Sequence, residues 1–302
     1  MQKYHDRKMR LKYLLEKMMN IEDWEYYNHA MIPKTAPHEE PDVTYIQNGL
    51  FWKMKEPKPL LARWTTDFDC ENETNWWYVI KDTPFEMSEL KAKRRYEINK
   101  GLKNFEVKII NPLLFEEELC EVHNAALEGY PLKYRPKFDV NIFKQTIRDE
   151  WDDKKIYAGF ERGTGKMCGY ALLTMHESYI SFNVLKTVPI YEKNAINAAI
   201  VHEILKDIND LLVKERLFYI CDGERNISHE TGFQDYLEKY FGFRKAYCVL
   251  HISYRPLIKF VVTLLYPFRR WLMVLDKNSF MHNVISVLHM EGLRREAKEE
   301  RH

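Results

Sequence analysis

The sequence predicts a mixed α/β domain over residues 105–255, and three observations predict it. Residues 156–188 hold three short apolar runs joined by tight turns, one of them Arg162–Gly165, which is the pattern of two hairpins in an antiparallel meander. Ile196, Ile200, Ile204, Ile208 and Leu212 then recur every four residues, so residues 195–213 read as one long amphipathic helix. A helix of that length has to cross back over the sheet, and it feeds a short strand at 217–221 expected to run parallel to the strand before the crossover.

Taken from the start, residues 5–30 read as a helix whose stripe is Leu11, Leu14, Leu15, Met18 and Met19. Residues 33–41, rich in Pro, His and acid, read as a linker. Strands are expected at 43–46, 50–54, 60–64 and 76–80, with the prolines of Lys55–Pro59 forbidding a central strand between the middle two. Ser88 is expected to cap a helix that Gly101 ends.

From Phe105 the pattern becomes regular. A strand over 105–110 meets Asn111 and Pro112, a good cap and a good first helical residue, and Phe115, Leu119, Val122 and Ala126 give the following helix its buried face. A second helix from Asp139 carries Phe143, Ile147 and Trp151 at helical spacing. After the meander, the crossover helix and the short strand, a helix over 228–240 packs through Phe233, Leu237 and Phe241. Gly242 breaks it, and residues 243–254 return as a long strand. The chain is thereby expected to divide into a helix and linker (1–40), a strand-rich segment with a basic helix (41–104), the α/β domain (105–255) and a helical tail (256–302).

Composition narrows the function. A formal charge of +1 gives no whole-protein field to draw in nucleic acid or an anionic membrane. The five cysteines are scattered and form no CxxC pair, which points away from a disulfide framework or a zinc site and toward a reducing, cytoplasmic setting. The basic start lacks the apolar core and cleavage site of a secretory signal. The most apolar stretch, from Pro256, is interrupted by Lys259, Pro267, Arg269 and Arg270, so no membrane span is expected.

Two segments carry a family likeness. The hairpin GTGKMCGYALL from Gly163 and the ending YLEKYFGFRKAY from Tyr236, set in the order strand, two helices, three antiparallel strands, helix, strand, helix, strand, resemble the acyl-CoA N-acyltransferase superfamily. The segment from Glu89 to Ile110 resembles the basic helix and strand of Fem-type aminoacyl-tRNA-dependent transferases, which carry two copies of this fold; residues 43–100 are too few for a complete first copy. The basic face Lys91, Lys93, Arg94, Arg95 and Lys100 reads first as a solvated surface, with a phosphate or RNA contact as the alternative.

The resemblance implies an acyl-CoA or acetyl-CoA donor, no metal, and transfer to an amine of a small molecule or an envelope precursor. Aminoacyl transfer of the Fem kind and a non-catalytic binding role are the alternatives. It places the donor along Lys186, Thr187 and Val188, at the turn with Lys193 and Asn194, and at Asn226, although the turn YEKNAIN has none of the glycines usual in the family. Unsatisfied amides and the dipole at the following helix would favour an anion there. Amide formation needs a proton acceptor and a donor to the leaving group. Glu224, in the cluster Cys221–Asn226, is the expected base or amine anchor. Tyr240 and His229 complete the catalytic candidates, with Glu238 standing where the family has its tyrosine acid. Residues 257–293 expose enough apolar surface to suit intramolecular packing, self-association or peripheral contact with the inner face of a membrane.

Overall fold

In the computed structural model, residues 23–130, 135–213, 218–225, 232–275 and 279–299 are described. The chain forms two compact units, one of residues 1–78, 225–230 and 246–302 and the other of 79–224 and 231–245.

The first unit opens with β1 (Trp24–Tyr27) and β2 (Ala30–Pro33), an antiparallel pair. The part of the expected N-terminal helix that lies within the described residues is therefore a hairpin. Asn28 and His29 sit in the turn with φ of 46° and 67°, the double left-handed turn whose twist matches paired strands. The strands expected at 43–46 and 50–54 are instead single helical turns, α1 (Thr44–Gln47) and α2 (Leu50–Lys53). The physical reason is local: the Asp42 carboxylate accepts the Thr44 amide at 2.8 Å, starting a turn where a ladder bond would otherwise form. α2 delivers Phe51 into a core with Trp24, Met31, Met54 and Ala62. β3 (Leu61–Thr66) then lies antiparallel to the distal part of β10 (Arg244–Tyr254) and parallel to β2. The division between the units falls within β4 (Trp76–Lys81) and β10.

The second unit begins its helices with α3 (Ala92–Asn104), capped at Lys91 and not at Ser88. Gly101 does not end α3 but lies buried inside it. A Cβ at that position would meet the Ala195 carbonyl oxygen at 2.4 Å, so a bare backbone is what lets the helices approach. β5 (Phe105–Ile110), α4 (Glu116–Leu127) and α5 (Val140–Glu150) follow as expected, with Asn111 accepting from the Leu113 amide and Asp139 from Asn141 and Ile142.

β6 (Lys154–Glu161), β7 (Met167–Met175) and β8 (Tyr179–Thr187) are the antiparallel meander, with β5 on its outer edge. The turn α6 (Pro189–Glu192) leads to α7 (Ile196–Ile208), whose Ile196, Ile200, Ile204 and Ile208 are all buried. β9 (Tyr219–Glu224) returns parallel to β8, and α8 (Phe233–Phe241) ends at Gly242, which has a φ of 67°. The mixed α/β sheet expected from the sequence is thus present. Leu119, Val122, Ile147, Trp151, Ile156 and Tyr170 form the core beneath α4 and α5.

The first unit closes with α9 (Pro256–Leu265), α10 (Arg269–Leu272) and α11 (Ser279–Glu299). Among the described residues no helix is long and apolar enough to cross a membrane.

Candidate functional site

The site follows from where two parallel strands part. Among the described residues, β8 and β9 pair only over Tyr179–Ser181 and Tyr219–Cys221. Just past that point β8 carries an irregularity, with Phe182 opposite Leu173 and Val184 opposite Leu172, so Asn183 is an extra residue that bends the strand. The Asn183 side chain is held by the Thr174 hydroxyl at 2.8 Å. A cavity of about 430 Å³ opens between the diverging strands. It is lined by Phe182 to Thr187 of β8, Glu192 and Asn197 beside the start of α7, Asp222 and Phe233, with Ala126 and Tyr130 above.

Asp222 is the first residue of β9 beyond its last pair with β8. Burial pushes its carboxyl up to about 7, with a hydrogen bond from the Gln234 side chain opposing the rise. Gln234 is itself fixed, because its amide nitrogen also donates to the Glu224 carbonyl at 3.1 Å. A carboxylate balanced near neutrality can take a proton and return it.

Of the expected donor contacts, Lys186 and Thr187 line the cavity. Lys186 donates to the Tyr130 hydroxyl at 2.9 Å and lies 4.9 Å from that ring's centroid, while the Thr187 hydroxyl donates to Asn197 at 2.9 Å. Val188 does not line the cavity; its amide bonds the Cys168 carbonyl and its side chain joins the core. Lys193 and Asn194 sit on the turn before α7 and likewise stand outside the lining. Their carbonyls accept from Lys100 and Asn104 of α3, and the amides of Asn194 and Ala195 bond back to Tyr191 and Glu192. Without glycines, this turn spends its amides on itself.

Glu224 is two residues farther along β9 than Asp222 and its side chain is not in the cavity wall. Tyr240 is also outside that wall, its ring tilted against Tyr236 with centroids 4.8 Å apart and the Arg94 guanidinium 5.6 Å above it. His229 and Asn226 lie outside the described residues. Cys221 is buried, its thiol pushed up to about 12 by burial, which removes it as a nucleophile. His202 pairs with Glu203 at 3.0 Å and packs edge-on to Phe85, a structural role. Among the described residues no group of three His, Cys, Asp or Glu side chains is placed to hold a metal ion.

The sequence pointed to Glu224 within the cluster Cys221–Asn226, whereas the residue of that cluster lining the cavity is Asp222. The signal that singles out Asp222 is strand register, because the residue just after the last parallel pair is the one brought to the mouth of the opening. Glu192 and Asn197 fall in the turn YEKNAIN, whereas Tyr130 and Asn183 had no motif to mark them.

No family model matches the chain, and no curated protein matches it either. Several solved structures are similar in fold. L-PGS from Bacillus licheniformis is 13% identical over 88% of this chain and 84% of its own, with a TM-score of 0.46. FemX is 11% identical over 61% of this chain and 63% of its own, with a TM-score of 0.45. A tandem GNAT protein from the clavulanic acid biosynthesis pathway is 10% identical, covering 75% of each chain, with a TM-score of 0.43. These are likenesses of fold alone.

Proposed function

We propose that the second unit is an acyltransferase that moves an acyl group from a carrier thioester to an amine, with Asp222 as the base. The observation that carries this reading is the carboxyl group balanced at about 7 in the wall of the opening between β8 and β9. As the amine nitrogen bonds to the acyl carbon and the carbon–sulfur bond breaks, the nitrogen loses a proton to Asp222. The departing sulfur then takes up a proton, so amide and free thiol are the products and Asp222 is restored.

Acyl-CoA is the donor this reading favours, and the residues present fit its arm. From Phe182 to Thr187, β8 has no ladder partner on the β9 side among the described residues, so its backbone groups can bond an extended chain carrying amides, as an added strand would. At the anionic end the fit rests on the first turn of α7, with Glu192 opposing it.

A second reading, an aminoacyl ester donor as in Fem-type transfer, is favoured by one specific observation. Among the described residues, Glu192 and Asp222 give the cavity lining two carboxyl groups and Lys186 one cation, a lining suited to an α-ammonium group. In either reading the acceptor is an amine of a small molecule or an envelope precursor, with tRNA as a partner only in the second.

Thermal unfolding with acetyl-CoA, longer acyl-CoAs, free CoA and an aminoacyl ester analogue tests the choice. A ligand at a hundred times its dissociation constant adds about 2.7 kcal/mol, which shifts Tm by several degrees. A rise with an acyl-CoA supports the first reading, and a rise with the aminoacyl ester alone moves the assignment to the second. A folded protein that responds to neither is not this transferase.

A further inference from the structure

α9 of the first unit has two apolar stripes, of which its own fold uses one. Val262 is buried, with Ile258 and Leu265 half-buried on the same side. On the other side Leu257, Phe260, Val261 and Leu264 are exposed, the first two by 71% and 67%. Spacing of three or four residues carries this second stripe onward through Phe268, Trp271 and Val274, exposed by 56%, 80% and 78%. Scattered apolar side chains are ordinary on a surface, but a run of seven at helical spacing marks a face with a partner.

Charge identifies the partner. Residues 256–275 contain Lys259, Arg269 and Arg270 and no Asp or Glu. Lys259 and Arg270 are exposed, and the Arg269 guanidinium stands 4.2 Å over the Tyr266 ring. Two copies meeting through this face would set three cations against three with no carboxylate from the segment to offset them. A bilayer rich in anionic phospholipid offers apolar depth and phosphates together. An exposed Trp beside arginine is the usual anchor at that depth. α9 has ten residues and is too short to span, so the geometry is one of lying on the surface.

We propose that α9 and α10 form a peripheral docking face for an anionic phospholipid bilayer, with Leu257, Phe260, Leu264, Phe268 and Trp271 entering the headgroup boundary. This assignment does not depend on the transferase reading, since it concerns the other unit.

The test is co-sedimentation of the full chain with vesicles of phosphatidylcholine alone and of phosphatidylcholine mixed with phosphatidylglycerol. Three cations near a charged surface predict about a hundredfold stronger partition into the mixed vesicles, falling steeply with salt. Phe260→Asp with Trp271→Asp should lower that partition at least tenfold while leaving Tm unchanged, because both side chains are exposed. Lys259→Glu with Arg270→Glu should erase the preference for phosphatidylglycerol without removing apolar surface. Equal partition into both vesicle types, no sedimentation with either, or double variants that bind like the wild type would overturn the proposal. A dimer in light scattering that the Phe260→Asp, Trp271→Asp change dissociates would also overturn it and give the face to a second copy.

Discussion

Replacing Asp222 with Asn tests the site without knowing any substrate. Burial raises the Asp222 carboxyl from an ordinary 3.8 to about 7, so the native protein holds a proton there that the unfolded chain releases once the pH passes 3.8. The stability this group supplies is complete below 3.8 and is lost as the pH rises toward 7, because the native state is then forced to carry a buried charge. A rise of roughly three pH units, at about 1.4 kcal/mol each, places the full penalty at about 4 kcal/mol. Asn cannot ionise and escapes it. Measured by urea unfolding, Asp222→Asn should gain stability relative to the wild type by about 3 kcal/mol between about pH 5 and about pH 8. The same variant should lose at least about a hundredfold in turnover of whichever amine proves to be the acceptor. A stability gap that stays constant over that pH range would refute the raised carboxyl, and with it the reason for choosing this residue as the base.

Three further outcomes follow from the packing. Gly101→Ala places a methyl group against the Ala195 carbonyl, and overpacking of about 3 kcal/mol should outweigh a helix-propensity gain of about 1, lowering Tm in calorimetry. Glu291 is 2% exposed and bonded to Arg294, Arg295 and Tyr254. Burial would raise its carboxyl, but the bonds from Arg294 and Arg295 prevail and hold it below the ordinary 4.5, so its contribution is present above that pH and fades as the solution is acidified below it. Glu291→Gln should therefore cost about 2 to 3 kcal/mol at neutral pH, with the difference shrinking in acid, as read by denaturant titration. With its thiol near 12, Cys221 should stay unalkylated by iodoacetamide in the native protein, and Cys221→Ala should keep turnover; rapid labelling seen by peptide mass spectrometry would contradict the burial.

The meander, the crossover helix and the aromatic helix ending at Gly242 were legible because each is written in local periodicity, and the order of these elements then limits the topology. The first hairpin was not legible, because Trp24, Tyr26 and Ala30 suit a strand or a helix until the left-handed turn at Asn28 and His29 decides. The same holds for residues 43–54, where apolar runs of strand length became helical turns once Asp42 bonded the Thr44 amide and Phe51 found the core of Trp24 and Met31. Gly101 looked like a helix end because glycine there is costly in a helix, and only the neighbouring Ala195 carbonyl explains why the helix runs through it.

By itself the sequence determined the α/β class, the strand and helix order from Phe105 to Tyr254, and the segment Cys221–Glu224 as the place where acid–base groups gather. These rest on interactions between residues a few positions apart, which a linear reading can see. The tertiary structure decided which carboxyl group faces the opening. Asp222 and Glu224 lie two residues apart on one strand and are chemically alike. What separates them is where β8 stops pairing with β9, which puts Asp222 and not Glu224 in the cavity wall and depends on a strand some forty residues away in the chain.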